Sequence, residues 1–401
     1  MFKKIPASSI PPLIFQLLKY VKNNQSLSKD LLKTINNYFS TKLSPEDRDG
    51  TVSNVDLDSI ELVSTGENTV AELLQAESTV VFHINQAAKN GHIIGKEIIN
   101  LIKAGSQAPE LVLTPFVLFL SLSFISIKQY QDVMLGCLKT AINRAVSIEE
   151  ARQNNIWTRG VMNKMPDIGD LLSLVITQSK KSGGWDLILQ GILDLGLILL
   201  DASSISKADI RKLKTIHNIG ARLLLKLIKK QSECSPEVIS SLTNKILTST
   251  PTCIQYTEAL RIVVAESSTI LMETPHVFNE LVENLSKLPF NTSRRCLYAM
   301  LPLVKLSRVL RDLLILALRK LLFASSTEAR QAATAGVLML LKTFRISTSR
   351  AVSQLSQSSG SLSQVAVDVH RGAATSNEAL CLELLGVHCN MAIMKIRSLR
   401  K

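Results

Sequence analysis

Apolar residues recur along most of the chain at three- and four-residue spacing, the period of a helix that buries one face. The spacing predicts helices over 10–22, 28–40, 67–89, 91–104, 114–126 and 128–152. Residues 41–66 are polar, rich in Pro, Asp and Ser, and have no apolar period, so they read as a long loop. The stretch from Thr114 to Ser126 is almost wholly apolar and is expected to be a central helix buried on all sides. Further along, pairs of helical stretches open near 167, 206, 251 and 291. Intervals of about 40 residues match the helix-pair repeats of HEAT and armadillo solenoids. Punctuation agrees: Lys181-Ser-Gly-Gly184 precedes Trp185, Pro236 and Pro251 stand at first turns, and Ser325-Ser-Thr-Glu328 offers a cap with an acid close behind. Helices of average length joined by short loops would give a similar spacing, and on either reading the chain is all-α.

Composition narrows the classes. The 401 residues are 46% hydrophobic but only 4% aromatic, with 17 Gly and 12 Pro, which disfavours sandwiches and barrels. No segment reaches the ~20 apolar residues of a membrane span. Prolines interrupt the N-terminal apolar stretch after Lys3 and Lys4 and no small-residue cleavage site follows, so no signal peptide is expected. Cys137, Cys234, Cys253, Cys296, Cys381 and Cys389 lie far apart without a Cys-x-x-Cys, which argues against zinc or a disulfide framework and for cytosol or nucleus.

Charge is uneven. Lys and Arg number 46 against 33 Asp and Glu, a net charge of +13. Residues 46–77 hold nine acids and one base, 206–231 eight bases and one acid, and 287–350 twelve bases and two acids. A sustained basic stripe on a solenoid is the footprint of phosphate-backbone binding. The candidates are Lys207, Arg211, Lys212, Lys214, Lys226, Lys229, Lys230, Arg294 and Arg295. Taken singly, each reads as the solvated face of a helix, and it is the sustained imbalance that points to phosphate.

Catalytic signatures are not found. The sequence contains no Gly-x-Gly-x-x-Gly, Walker lysine loop, His-Glu-x-x-His or Gly-x-Ser-x-Gly, and His388-Cys389 has no matching pair at metal-ligand spacing. No catalytic residues, cofactor or metal are expected, and function has to be sought in surfaces.

Two segments stand out. In Arg311-Asp-Leu-Leu-Ile-Leu-Ala-Leu-Arg-Lys320 and the Leu-Leu-Phe that follows, leucines cover nearly the whole helix circumference, and Lys320 projects near Leu313 and Leu316. Either Lys320 snorkels and favours the C-terminal dipole, or this face meets a partner and Lys320 is regulated there. From Ser347 to Gln364 the chain has eight serines and three Ser-Gln pairs, at Ser353, Ser356 and Ser363. Such a stretch reads as an exposed loop, and Ser-Gln is the minimal target of DNA-damage checkpoint kinases; a phosphate there would add about −1.5 to −2 charge beside a basic region. Chance clustering in a Ser-rich linker is the alternative.

These segments, in this order, resemble the Fanconi anaemia group I family. Further matching stretches are Ile10-Pro-Pro-Leu-Ile-Phe-Gln-Leu-Leu18, Trp185-Asp with Gln190-Gly and Leu195-Gly, Ala335-Gly-Val-Leu-Met-Leu-Leu-Lys342 and Ser363-Gln-Val-Ala-Val-Asp-Val-His370. The resemblance implies an α-solenoid of HEAT/armadillo-like antiparallel helix pairs with an intervening helical domain. Its parts would be the end of a first solenoid over 1–77, a helical domain over 82–168, a second solenoid over 175–345, and over 346–401 the Ser/Gln-rich loop with the start of another helical domain. It also implies that the chain corresponds to the middle of a longer solenoid. The implied role is a non-enzymatic, nuclear scaffold, with a cytoplasmic pool, in DNA interstrand-crosslink repair. Implied partners are the group D2 protein, the group L ubiquitin ligase with its conjugating enzyme, double-stranded or branched DNA, and checkpoint kinases, with no membrane. Lys320 takes the position of the family's ubiquitin acceptor, and Ser353, Ser356 and Ser363 those of its phosphorylation sites. The alternative is a basic solenoid adaptor or transport protein that binds acidic peptides and has no DNA role.

Overall fold

The computed structural model describes residues 5–21, 24–43, 69–105, 108–154, 167–203, 210–249, 253–322 and 324–343. Among these the regular elements are helices. In order they are α1 (Ile10–Tyr20), α2 (Gln25–Lys42), α3 (Val70–Lys89), α4 (Ile94–Gly105), the single turn α5 (Pro109–Val112), α6 (Pro115–Ile125), α7 (Lys128–Asn154), α8 (Ile168–Lys181), α9 (Trp185–Leu200), α10 (Ile210–Lys230), α11 (Ser235–Thr248), α12 (Ile254–Leu271), α13 (Asn279–Glu283), α14 (Phe290–Leu306), α15 (Arg308–Leu322) and α16 (Thr327–Thr343). Most of the predicted loop, together with Pro251, Lys207, Ser353, Ser356, Ser363 and all of 346–401, lies outside the described residues.

Caps account for where the helices differ from expectation. The Leu27 N–H donates to Asn24 Oδ1 at 3.1 Å, so α2 starts at Gln25 instead of 28. Thr69 and Glu72 form a reciprocal capping box, the Glu72 N–H donating to Thr69 Oγ1 and the Thr69 N–H to Glu72 Oε2. That pair stops α3 at Val70, short of the predicted 67. The expected box at 325–328 is only half made. Ser326 Oγ accepts the Ala329 N–H, but Glu328 instead accepts the Phe290 N–H at 3.3 Å and so caps α14. The repeat starting with α12 also departs from a simple pair, because its second half is short turns over Pro275–Phe278, α13 and Asn284–Lys287.

The chain divides into two compact units, Met1–Leu227 and Ile228–Lys401. In the first, α6 is the core: every residue from Phe116 to Ile125 is buried. Burying a helix on all sides brings its two serines inside, and its own carbonyls satisfy them, Ser121 Oγ donating to Val117 O and Ser123 Oγ to Leu120 O. From α3, Asn85 Nδ2 donates to Ser123 O at 2.8 Å, and the wholly buried Glu77 accepts a hydrogen bond from Gln178 on α8. Helix α9 lies so near α6 that a Cβ on Gly191 would stand 2.3 Å from Leu122 O. Only glycine permits that approach.

In the second unit the first helices of successive repeats, α12, α14 and α16, pack side by side, and α15 returns against α16. Helix α12 has a non-helical Ser267 (φ −128°), whose hydroxyl donates back to Val263 O, a bond that bends helices. Cys253 and Cys296 are buried between α12 and α14, and burial, then the neighbouring Cys253, pushes the Cys296 thiol up to about 12. Peptide mapping after iodoacetamide treatment at pH 8 is expected to find Cys296 unlabelled in the native protein and labelled once denatured. Because its folded value is raised, an unfolded chain ionises this thiol first, so its contribution to stability falls as pH rises from the ordinary thiol range toward 12. Labelling of Cys296 at equal rates in both states would refute this.

Candidate modification site and nucleic-acid interface

Helix α15 sorts its residues by face. Leu310, Leu314, Ile315, Leu318 and Leu321 are buried against the second unit. Opposite them Val309 is 67% exposed and Leu316 52% exposed, with Leu313 half-buried between. One turn past Leu316 stands Lys320, exposed, in the last turn beside Arg319. The geometry therefore places Lys320 at the end of an apolar stripe that faces solvent. The cation also sits in the last turn, where the helix dipole favours one.

The described basic candidates lie on two helices, α10 and α14. On α10, Arg211, Lys214 and Lys229 share an exposed face, and Arg222, not among the candidates expected from sequence, lies on the same face. A spacing of eleven residues from Arg211, three helical turns, is the signal that could have found it. Lys212 and Lys226 are half-buried. Lys229 Nζ is paired with Glu266 at 2.8 Å in an exposed ion pair, so a phosphate would have to displace a carboxylate there. Lys230 is exposed at the helix end.

The α10 face also opens onto a cleft of about 600 Å³ in the first unit, lined by Arg211 and Arg222 but also by Glu149, Glu150, Asp167 and Asp170. Four carboxylates cancel much of the attraction that the basic count of 206–231 suggests. These acids come from α7 and the start of α8, outside the basic stretch 206–231.

Helix α14 is different. Arg294 and Arg295 are exposed, Lys305 extends their face, and the helix carries no Asp or Glu. The side chains of these three cations make no hydrogen bond or ion pair among the described residues. Lys305 was not among the candidates from sequence, although eleven residues, three helical turns, separate it from Arg294. Among the described residues no group of three or more His, Cys, Asp or Glu could hold a metal ion, and no helix is long and apolar enough to cross a membrane.

Comparison with known proteins bears on the same segments. Family profiles described as FANCI solenoid 1, FANCI helical domain 1 and FANCI solenoid 2 match residues 1–89, 94–178 and 188–338. The chain is 31% identical over 399 residues to the Fanconi anemia group I protein homolog of Mus musculus, and 30% identical over 409 residues to the Fanconi anemia group I protein of Gallus gallus. Each match takes in 96% of this chain and 29% of the relative, so the chain spans under a third of the length of these curated relatives. Three consecutive profiles in the family's order, on an all-α solenoid, lead to one conclusion: the chain belongs to the Fanconi anaemia group I family.

Proposed function

We propose that this chain is a non-enzymatic scaffold segment of the Fanconi anaemia interstrand-crosslink repair pathway. It pairs with the group D2 protein, contacts double-stranded or branched DNA through basic helix faces, and accepts ubiquitin on Lys320 from the group L ligase and its conjugating enzyme. Checkpoint-kinase phosphorylation of Ser353, Ser356 and Ser363 regulates it, and it acts in the nucleus with a cytoplasmic pool. The observation that carries this reading is the exposed Lys320 amine at the end of the solvent-facing stripe Val309, Leu313 and Leu316. An apolar stripe left in water favours a protein partner, and an exposed lysine at its end is open to acylation.

The DNA part is tested by fluorescence anisotropy with a blunt duplex over a salt series. The affinity is expected to fall linearly with log salt, and the double variant Arg294→Ala/Arg295→Ala to lower the slope by about 2, close to one for each lost phosphate contact. No duplex binding at low salt would reject the DNA role of this chain. It would favour the acidic-peptide adaptor, which an acidic peptide probe under the same conditions detects directly.

A further inference from the structure

Three of the five tyrosines are core residues and two are exposed. Tyr38, Tyr130 and Tyr256 are buried in the core. Tyr20, at the end of α1, is 85% exposed, but the one cation beside it in the chain, Lys19, is drawn over the Phe15 ring, 4.4 Å from its centre. Tyr298 is 52% exposed at the middle of α14 and makes no hydrogen bond or ring contact through its side chain among the described residues. At 100° per residue it shares a face with Arg294 and Arg295, one turn before it, with Pro302, one turn after it, and with Lys305, two turns after it. From the arginines to Lys305 the face runs about 15 Å along the axis.

We infer that this face of α14 holds unpaired nucleotides at a single-strand branch or tail, the Tyr298 ring stacking on a base while Arg294, Arg295 and Lys305 neutralise the flanking phosphates. The inference rests on the DNA reading above and adds the part of the DNA that is recognised. Its physical basis is the combination on one face. Cations alone serve any phosphate backbone, whereas an exposed aromatic ring finds a base face only where bases are unpaired, since within a duplex each base is covered by its neighbours. Helix α14 contributes no carboxylate of its own, Glu328 of α16 standing at its N-terminal cap, and three cations against that one acid suit a polyanion.

The test uses the full chain and three fluorescent probes of equal strand length: a blunt duplex, a forked duplex with unpaired tails, and a single strand. Tyr298→Ala is expected to weaken binding to the fork and the single strand by about fivefold or more, the lower end of what one base–aromatic stack contributes, and to leave the blunt duplex within twofold. Tyr298→Phe keeps the ring and is expected to match the wild type on all three. As Tyr298 is exposed, the variants should melt with the wild type, which circular dichroism checks. Unchanged binding of Tyr298→Ala to fork and single strand, equal losses on all three probes, or a Tyr298→Phe loss as large as that of alanine would each overturn the stacking inference while leaving duplex binding intact as a reading. Failure of the wild type to bind any probe at low salt would overturn both.

Discussion

Lys320→Arg is expected to abolish mono-ubiquitination of this chain when it is incubated with the group L ligase, its conjugating enzyme, ubiquitin and the group D2 protein. An isopeptide bond forms when the lysine amine attacks the thioester carbonyl of ubiquitin, the amine losing a proton and the conjugating enzyme's thiol leaving. Arginine keeps the positive charge, the apolar stem and the favourable position at the C-terminal end of α15, but its guanidinium stays protonated and is no nucleophile. The variant therefore removes the acceptor and little else. Since Lys320 is exposed, the fold should be unaffected and the melting temperature unchanged. Lys287 and Lys305 remain exposed in the same unit as internal competitors. Modification that persists at the wild-type level in Lys320→Arg, mapped by mass spectrometry to another lysine, would refute the assignment.

The largest effect on stability is expected at Phe119. Its ring is fully buried in α6, and its Cζ atom is so close to Gly184 that a Cβ there would stand 2.7 Å away. Phe119→Ala is expected to cost about 3–5 kcal/mol, the transfer energy of the ring plus the cavity left in a helix enclosed on every side. For a unit of this size that corresponds to a fall of about 10 °C in the melting temperature of the first unit, read by circular dichroism. Leu316→Ala, on the exposed side of α15, should change stability by under about 0.5 kcal/mol. Equal shifts for the two variants would contradict the core described for the first unit.

The order of helices was legible because burial imposes a period on the sequence. Those expected to open near 167, 251 and 291 open at Ile168, Ile254 and Phe290, and the almost wholly apolar stretch after Thr114 is the buried α6. Helix ends were less legible because they depend on which neighbour supplies a cap. Glu328 illustrates this: its local pattern suggests a cap for its own helix, while its carboxylate accepts a hydrogen bond from Phe290, 38 residues earlier. The short turn α5 and the turns around α13 were missed because four or five residues carry no measurable period.

For the site, the sequence by itself determined which residue types were available and, through helical spacing, that Lys320 shares a face with Leu313 and Leu316. Periodicity is a property of one helix, so one helix suffices to read it. Whether that face is buried or open to solvent is a property of what packs against it. Only the tertiary structure decided that the Leu316 side is open while the Leu314 and Leu318 side is core. The same reason governs charge. A count along 206–231 sees eight bases, but an electrostatic field sums over space, and folding brings Glu149, Glu150, Asp167 and Asp170 up to α10, whereas Arg294, Arg295 and Tyr298 of α14 make no side-chain hydrogen bond or ion pair among the described residues.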